Sequence, residues 1–264
     1  MALIALEKSD RVATITINRP DARNAMSRDM WPMLRSMLED VAADPDIACV
    51  VVTGTDPAFC AGGDVKAMTE RAEGENPMSV EEETKLLRGL MECSRLLHEM
   101  SKPTIAAING ACAGAGFALA LSCDLRIADA QAKFTTAFAR VAGSGDFGGS
   151  WFLSRMIGTA KARELYYFAD TFTGNEAAEM GVVNKAVERE LFAETVRDWS
   201  SRIANGPGVA LALIKENMNL AEQSSLSEAL DQEARNMVLA FRSEDHIEAA
   251  RAFVEKRRPE FKGK

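Results

Sequence analysis

The sequence is poor in the residues that bind metals. It has two histidines in 264 residues, His98 and His246, and five cysteines. The cysteines lie in apolar or Gly/Ala-rich surroundings and do not have the spacing of metal ligands. Cysteines in such surroundings usually serve as small buried residues in a protein of a reducing compartment. We therefore predict no metal site.

Two further absences limit the partners of the protein. No apolar run reaches the length of a membrane span, and the N-terminal residues lack the positive segment and long apolar core of a secretion signal. The formal net charge is −8, which argues against a nucleic acid or an anionic membrane as the main partner. We expect a cytoplasmic protein that binds neither.

The length and composition, 264 residues with 47% hydrophobic and 27% charged, fit one large globular domain or a domain with a helical extension. Strand patterns alternate with helix patterns over most of the chain, which indicates an α/β fold. From about residue 190 the periodicity is helical alone, over 190–205, 207–222, 226–241 and 244–256. We predict a core of residues 1–200 and a C-terminal helical region of residues 201–264.

Residues 102–129 join a strand to a helix through small side chains. Pro103 to Ile108 is a short apolar run with β-branched residues, typical of a buried strand. Asn109-Gly110 breaks the pattern, and from Gly114 small and apolar residues favour a helix. Such a turn aims unpaired backbone N–H groups at one point, where small residues let a ligand oxygen approach. Close packing between helix and strand explains this stretch equally well.

Residues 48–66 repeat the arrangement. Cys49 to Val52 is a buried-strand run that Thr53-Gly54 ends, and the small residues 60–63 precede Asp64 and a predicted helix. Two turns that present N–H groups, one after each of two strands, are what an oxyanion hole with two donors needs. The polar stretch 65–85 beyond it predicts a loop over the site, and a helix is expected over 80–100.

Several motifs together resemble one protein family. They are Asn18-Arg19-Pro20, Asn24-Ala25-Met26, FCAGGD at 59–64, PTIAAING at 103–110, Gly114-Ala115-Gly116, AAEMGVV at 177–183 and FVEKR at 253–257. On these residues the chain resembles the crotonase (enoyl-CoA hydratase/isomerase) superfamily over essentially its whole length. The resemblance implies an α/β, ClpP-like spiral of ββα units with a C-terminal helical trimerisation region. It also implies an acyl-CoA thioester as substrate, no separate cofactor beyond this coenzyme A, and a homotrimer or a hexamer.

The resemblance assigns the two oxyanion-hole donors to the backbone N–H groups of Gly63 and Ala115. Many relatives have glycine where this chain has Ala115, so the donor is kept but the clearance is tighter. Hydratases of the family also carry two glutamates, whose places here are Ala118 and Phe138. Neither residue can move a proton, so hydration by two glutamates is not expected.

Asp146 is the remaining candidate for acid–base chemistry. Its position matches the base of dienoyl-CoA and ring-type enoyl-CoA isomerases, and also the nucleophile of chlorobenzoyl-CoA dehalogenases. A carboxylate in an apolar pocket suffices to move a proton between two carbons. A structural interpretation stays open here, since aspartate before a helix is a favoured cap. Glu92 or Arg140 could supply a second polar group, although a solvated or ion-paired role suits either residue.

The resemblance also implies contacts to the coenzyme A ester. The residues concerned are Ala22, Arg23, Ala25, Ala61, Asp64, Val65, Lys66, Phe138, Phe253 and Lys256. Phe253 and Lys256 match positions that reach the adenine and phosphates, sometimes across a subunit boundary. Phe138, Phe147 and Trp151 indicate a pocket for a bulky or aromatic acyl group, or else fill the space left by the missing glutamates.

We therefore expect an isomerase that moves the double bond of an enoyl-CoA, with Asp146 as acid and base. Three alternatives stay open at this point. They are a hydratase with another water-activating group, a hydrolase or dehalogenase with Asp146 as nucleophile, and a binding protein for coenzyme A esters without catalysis.

Overall fold

The computed structural model describes residues 2–72 and 78–264, and the strands in these ranges form two sheets. The large sheet has the order β1-β2-β3-β5-β7-β10, and the small sheet has the order β4-β6-β8-β9. The strands are β1 Ile4–Ser9, β2 Val12–Ile17, β3 Cys49–Gly54, β4 Ala58–Cys60, β5 Thr104–Ile108, β6 Ala111–Ala113, β7 Leu125–Asp129, β8 Lys133–Thr135, β9 Phe172–Thr173 and β10 Lys185–Val187.

Helices cover both sheets and make up the C-terminal quarter. They are α1 Met30–Ala43, α2 Val65–Ala72, α3 Val80–Leu90, α4 Glu92–Glu99, α5 Gly114–Leu121, α6 Gly149–Ile157, α7 Thr159–Phe168, α8 Gly174–Glu179, α9 Arg189–Ala204, α10 Gly208–Ala221, α11 Leu226–Phe241 and α12 Glu244–Glu255. Short 3-10 turns occur at Pro20–Ala22 and Phe138–Val141. None of the described helices is long and apolar enough to cross a membrane.

Within the described part of the chain, one ββα unit occurs three times. The first strand of each unit (β3, β5, β7) enters the large sheet, and the second (β4, β6, β8) enters the small sheet. A helix then follows, so successive units advance in parallel along both sheets. This arrangement is the predicted α/β spiral of ββα units.

The second unit is the most deeply buried. All residues of β5 are buried, because parallel neighbours lie on both edges and helices cover its faces. All residues of α5 are buried as well. A Cβ atom on Gly116 would lie 2.4 Å from the carbonyl oxygen of Cys60, so this glycine lets α5 pack directly on the backbone of β4.

The structure differs from the sequence predictions between residues 65 and 100. The expected loop at 65–85 contains the whole of α2, whereas α3 begins at Val80, where a helix is expected, with a reciprocal capping box between Ser79 and Glu82. The middle of the expected loop, residues 73–77, lies outside the described residues. The single helix expected over 80–100 is two helices, α3 and α4, that meet at Met91.

The four predicted C-terminal helices agree with α9 to α12 to within one residue at each end. Helix α9 packs against β3 and β7 of the large sheet and runs past residue 200. The division into residues 1–200 and 201–264 stays a prediction, as does the trimer or hexamer.

Candidate active site

The first predicted donor lies in a turn that backbone hydrogen bonds hold in place. The Met26 amide donates to the Gly62 carbonyl at 2.8 Å, and the Asp64 amide donates to the Met26 carbonyl at 3.1 Å. These bonds straddle Gly63, with which Met26 forms a parallel bridge. The N–H of Gly63 therefore faces away from Met26, because only its two neighbours turn toward that residue.

The second predicted donor lies in the first turn of α5. The first four N–H groups of a helix have no acceptor within it, and Ala113 caps α5 without a side-chain hydrogen bond. A Cβ atom on Gly62 would lie 2.9 Å from the Ala113 oxygen and 3.5 Å from the Ala115 nitrogen. The two turns thus touch, and glycine is needed at position 62 for this contact and for its φ of +97°. In the described ranges, neither the Gly63 nor the Ala115 amide donates to another protein group.

Asp146 does not cap the helix that follows it. The N-cap of α6 is Gly148, at φ +77°, and no side chain caps this helix. The backbone of Asp146 accepts a bond from the Gly149 amide at 3.1 Å, but its Oδ1 atom is buried and has no hydrogen-bond partner in residues 2–72 and 78–264. The interpretation of Asp146 as a helix cap is therefore wrong. Burial raises the pKa of its carboxyl from 3.8 to about 6.

Gly63, Ala115 and Asp146 line one cavity of about 640 Å³. Its other walls are mostly apolar and come from α1, α2, α3 and the segments beside them. They include Met26, Trp31, Ala67, Met78, Val80, Leu86, Leu87, Leu90 and Phe147, with Arg28, Asp64, Glu83 and Thr84 as polar members. The fold thus brings together the three residues predicted to act on the thioester, in surroundings that strengthen electrostatic interactions.

A second cavity of about 410 Å³ shares Phe147 with the first. The Phe147 ring stacks on Trp31, with ring centroids 4.0 Å apart, and is almost fully buried. Trp151 lines the second cavity and not the first. Phe147, backed by Trp31, therefore lies between the two cavities.

Tyr166 on α7 fills the space beside the two positions that hold glutamate in hydratases. Its ring stacks on Phe138, with centroids 6.0 Å apart and planes at 5°. A Cβ atom on Gly149 would lie 2.5 Å from the Tyr166 hydroxyl oxygen and 3.0 Å from the Cβ of Ala118, so this hydroxyl lies beside Ala118. Of the two explanations for Phe138, the packing supports the filling of vacated space.

Tyr166 is not among the residues predicted from the sequence. The available signal was its place four residues after the buried Ala162, which puts it on the inner face of α7. Burial, and next the charge of Asp146, raise the pKa of its phenol, so it stays a neutral hydrogen-bond donor.

Most residues predicted to bind coenzyme A lie on the loops around the Gly63 turn. The Ala61 amide donates to the Arg23 carbonyl at 3.0 Å, and the buried Asn24 side chain ties this loop to the carbonyls of Thr55 and Ala58. Arg23 is exposed, and Ala22 and Ala25 beside it are half-buried. Val65 and Lys66 are exposed in the first turn of α2.

Asp64 has structural partners of its own. It pairs with Arg19 at 2.7 Å and accepts a bond from the Ala67 amide at 3.2 Å, at the start of α2. The hydrogen bond from Arg19 is the main cause that lowers the pKa of this carboxyl. Asp64 lines the cavity, but its carboxylate is already engaged.

The remaining predicted residues lie away from the cavity. Phe253 on α12 is 86% exposed, and Lys256 follows the end of this helix; neither lines the cavity in the described chain. Glu92, one candidate for a second polar group, pairs with Arg88 and Arg95. The other candidate, Arg140, is exposed in the 3-10 turn.

Among the described residues, no group of three or more His, Cys, Asp or Glu side chains could hold a metal ion. All five cysteines are free and buried.

Comparisons with known proteins agree with the architecture. The profile of the family described as enoyl-CoA hydratase/isomerase matches residues 7–264. The chain is 37% identical to the 1,2-epoxyphenylacetyl-CoA isomerase of Escherichia coli K12, over 96% of this chain and 95% of that protein. It is 34% identical to the short-chain-enoyl-CoA hydratase of Clostridium acetobutylicum, with coverage of 97% and 96%.

Solved structures give the same result. The crystal structure of a protein from Streptomyces coelicolor A3(2), described as an enoyl-CoA hydratase, superposes with a TM-score of 0.94 at 32% identity, covering 100% of this chain and 95% of that one. An enoyl-CoA hydratase from Geobacillus kaustophilus gives 0.91 at 33% identity, with coverage of 100% and 99%. The predicted fold and family are confirmed: the chain belongs to the enoyl-CoA hydratase/isomerase family.

Proposed function

We propose that this protein is an acyl-CoA isomerase that moves the carbon–carbon double bond of an enoyl-CoA thioester, with Asp146 as acid and base. One observation carries the proposal. A carboxylate oxygen of Asp146 is buried without a hydrogen-bond partner in the described chain, in the cavity that Gly63 and Ala115 also line. Unpartnered buried carboxylates are costly, and they are found where the chemistry uses them.

The proposed reaction begins with the thioester oxygen between the N–H groups of Gly63 and Ala115. Asp146 removes a proton from the α carbon, and the electron pair of the broken C–H bond delocalises onto this oxygen as an enolate. Preorganised backbone donors stabilise such charge by about 3–4 kcal/mol each.

Asp146, now neutral, returns the proton to the γ carbon, and the double bond moves from the 3,4 to the 2,3 position. A pKa of about 6 suits both halves, since the group ionises near neutral pH and also releases its proton readily. Only a proton moves and no redox change occurs, so the reaction needs no cofactor besides the coenzyme A of the substrate.

Hydration is less well supported. A hydratase must hold and activate a water molecule, and the two positions that do so in the family are Ala118 and Phe138. Tyr166 and Phe138 fill the space near them. Relatives named as hydratases keep this reaction as the second candidate.

The walls of the cavity suit an acyl group with a ring or a bulky chain. Trp31 and Phe147 present stacked rings to it. One relative is named for a phenylacetyl-CoA epoxide, an acyl group that carries a six-membered ring. We propose that the substrate is a cyclic or aromatic-derived acyl-CoA.

The coenzyme A contacts stay proposals. Arg23 and Lys66 are exposed cations on neighbouring segments, and we propose that they bind the phosphates of coenzyme A. The other proposed contacts in this region are Ala22, Ala25, Ala61, Asp64 and Val65. Phe253 and Lys256 would act from a neighbouring subunit of a trimer or a dimer of trimers. Exposed apolar side chains on the C-terminal helices, among them Met218, Leu226, Leu230, Met237 and Phe241, support such an assembly. Light scattering of the purified protein tests it.

The experiment compares Asp146→Asn with Asp170→Asn, an exposed control, on 3-enoyl-CoAs, dienoyl-CoAs and 1,2-epoxyphenylacetyl-CoA. We expect the Asp146 variant to lose about 10²–10⁴-fold in kcat while the control stays active. Retained turnover in Asp146→Asn would remove this residue from the mechanism.

Two further measurements separate the alternatives. Rapid quenching and mass spectrometry detect an acylated or arylated peptide containing Asp146 only if this residue is a nucleophile. Calorimetric binding of acyl-CoAs without turnover of any ester would favour a binding protein.

A further inference from the structure

Tyr166 brings a hydroxyl group to the turn that carries Asp146. A Cβ atom on Gly145 would lie 3.1 Å from the Cε1 atom of Tyr166 and 3.8 Å from its hydroxyl oxygen. On the other side of Asp146, a Cβ atom on Gly149 would lie 2.5 Å from the same oxygen. The phenol thus contacts the chain just before and three residues after Asp146.

The two glycines make this approach possible. Any side chain at position 149 would collide with the hydroxyl, and Gly145 adopts a φ of +107° that other residues rarely reach. The ring is fixed from its other face by the parallel stack on Phe138. The hydroxyl is therefore held beside the Asp146 turn by backbone contacts that leave it little freedom.

The carboxylate beside it lacks a partner. Oδ1 of Asp146 accepts no hydrogen bond from the described residues. Arg28, Asp64 and Glu83 line the same cavity, and Arg140 and Arg155 lie on the neighbouring 3-10 turn and on α6. Burial alone raises the pKa of Asp146, so none of these charges shifts it. The influence between the two groups runs one way: after burial, the charge of Asp146 is the second cause that raises the pKa of Tyr166.

We propose that Tyr166 is a positioning residue for Asp146: during turnover its hydroxyl donates a hydrogen bond to the Asp146 carboxylate and orients the other oxygen toward the acyl carbon. The inference rests on the proposed function, because it gives Asp146 a partner in acid–base work. Catalytic hydrogen bonds commonly tighten only when substrate is bound.

The test is the pH dependence of kcat in Tyr166→Phe, with Tyr167→Phe as the matched control, because kcat reports ionisation in the enzyme–substrate complex, where the bond is proposed. Phenylalanine keeps the ring and its stack and removes only the hydroxyl, and Tyr167 is 72% exposed on the same helix. A bond to the ionised carboxylate favours that form, so its loss should raise the apparent pKa of the acid limb by about one unit. Activity should then fall about tenfold at pH values well below the acid limb of both proteins and hardly at all at pH 9, while Tyr167→Phe keeps the wild-type profile.

Two results would overturn the proposal. An unchanged acid limb in Tyr166→Phe would mean that the hydroxyl does not act on Asp146, and an equal loss at every pH would mean that it only packs the site. If Tyr166→Phe does not fold, difluorotyrosine at position 166 serves instead. Its stronger donor should move the acid limb to lower pH, and an unmoved limb contradicts the proposal.

The outcome is separable from the proposed function itself. If Asp146→Asn keeps its activity, the function fails whatever Tyr166 does. If Asp146→Asn is inactive and the Tyr166→Phe profile matches wild type, only the inference about Tyr166 fails.

Discussion

Replacing Asp146 by asparagine should abolish turnover and also change how stability depends on pH. The carboxyl has a pKa of about 6 in the folded protein against an ordinary value of 3.8, because burial disfavours its charged form. Between these values the folded state holds a proton that the unfolded chain has released. The free energy of unfolding of the wild type therefore falls as pH rises from about 4 to about 6, and asparagine, which does not titrate, removes this fall.

The magnitude follows from the size of the pKa difference. A difference of about two units corresponds to about 3 kcal/mol at full effect. The cavity admits solvent to part of the group, so we expect about 1–2 kcal/mol. The quantity to compare is the change in unfolding free energy between pH 4 and pH 8, in which any pH-independent effect of the amide cancels.

Urea unfolding of wild type and Asp146→Asn at both pH values, at one chain concentration, gives this quantity. We expect the variant to gain stability relative to wild type at pH 8 and not at pH 4, and to be inactive at both. Such a gain at the expense of activity marks a residue kept for function. An identical pH dependence in the two proteins would refute the argument from burial.

Three further predictions concern the surroundings of Asp146. Gly62→Ala should cost about 1–3 kcal/mol of stability and at least about tenfold in kcat/KM, because the new Cβ atom at position 62 would press on the Ala113 carbonyl, next to the Ala115 amide. Phe147→Ala should lower the free energy of unfolding by about 3 kcal/mol. It should also raise kcat/KM for long acyl chains relative to short ones, since removing the ring joins the two cavities. Ala118→Glu should destabilise the protein by about 2 kcal/mol or more without producing a hydratase, because Tyr166 occupies the space.

Each of these variants has a result that would contradict it. Gly158→Ala is the control for Gly62→Ala: it has a φ of +78° and no atom within 4 Å of its Cβ position, so it should lose stability and keep kcat/KM. Equal losses of kcat/KM in Gly62→Ala and Gly158→Ala would show that the contact at Gly62 has no particular role in catalysis. Unchanged chain-length preference in Phe147→Ala, with Phe168→Ala as the exposed control, would mean that the ring does not separate the two cavities. Hydration of an enoyl-CoA by Ala118→Glu would mean that Tyr166 does not fill the space beside position 118.

Local sequence patterns predicted much of the site because the two donor turns are local structures. Each follows a strand and consists of small residues, and the resemblance to the family then assigns the two donors to Gly63 and Ala115. The Ser79–Glu82 capping box is equally local, and it begins α3 at Val80, where a helix is expected to start. The break at Met91 has a weak sequence signal, a single glycine at position 89 in the last turn of α3.

Other features depend on tertiary contacts that no sequence window contains. The sequence around Asp146 is consistent with two roles for this residue, a helix cap and a catalytic base. The structure separates them, because Gly148 is the N-cap of α6 and Oδ1 of Asp146 has no hydrogen-bond partner in the described chain. Tyr166 reaches Asp146 across twenty residues and Ala118 across forty-eight. Its contact with the turn that carries Asp146 becomes visible only once α7 packs on the turn before α6.

The central claim is that Asp146 moves a proton on a thioester-bound acyl chain, and turnover of a 3-enoyl-CoA in D₂O tests it most directly. We predict that the wild type forms the 2-enoyl-CoA with deuterium confined to the α and γ carbons, and that Asp146→Asn yields neither product nor deuterium exchange. Exchange at the wild-type rate in the variant, or a product that has gained a molecule of water, would contradict the account.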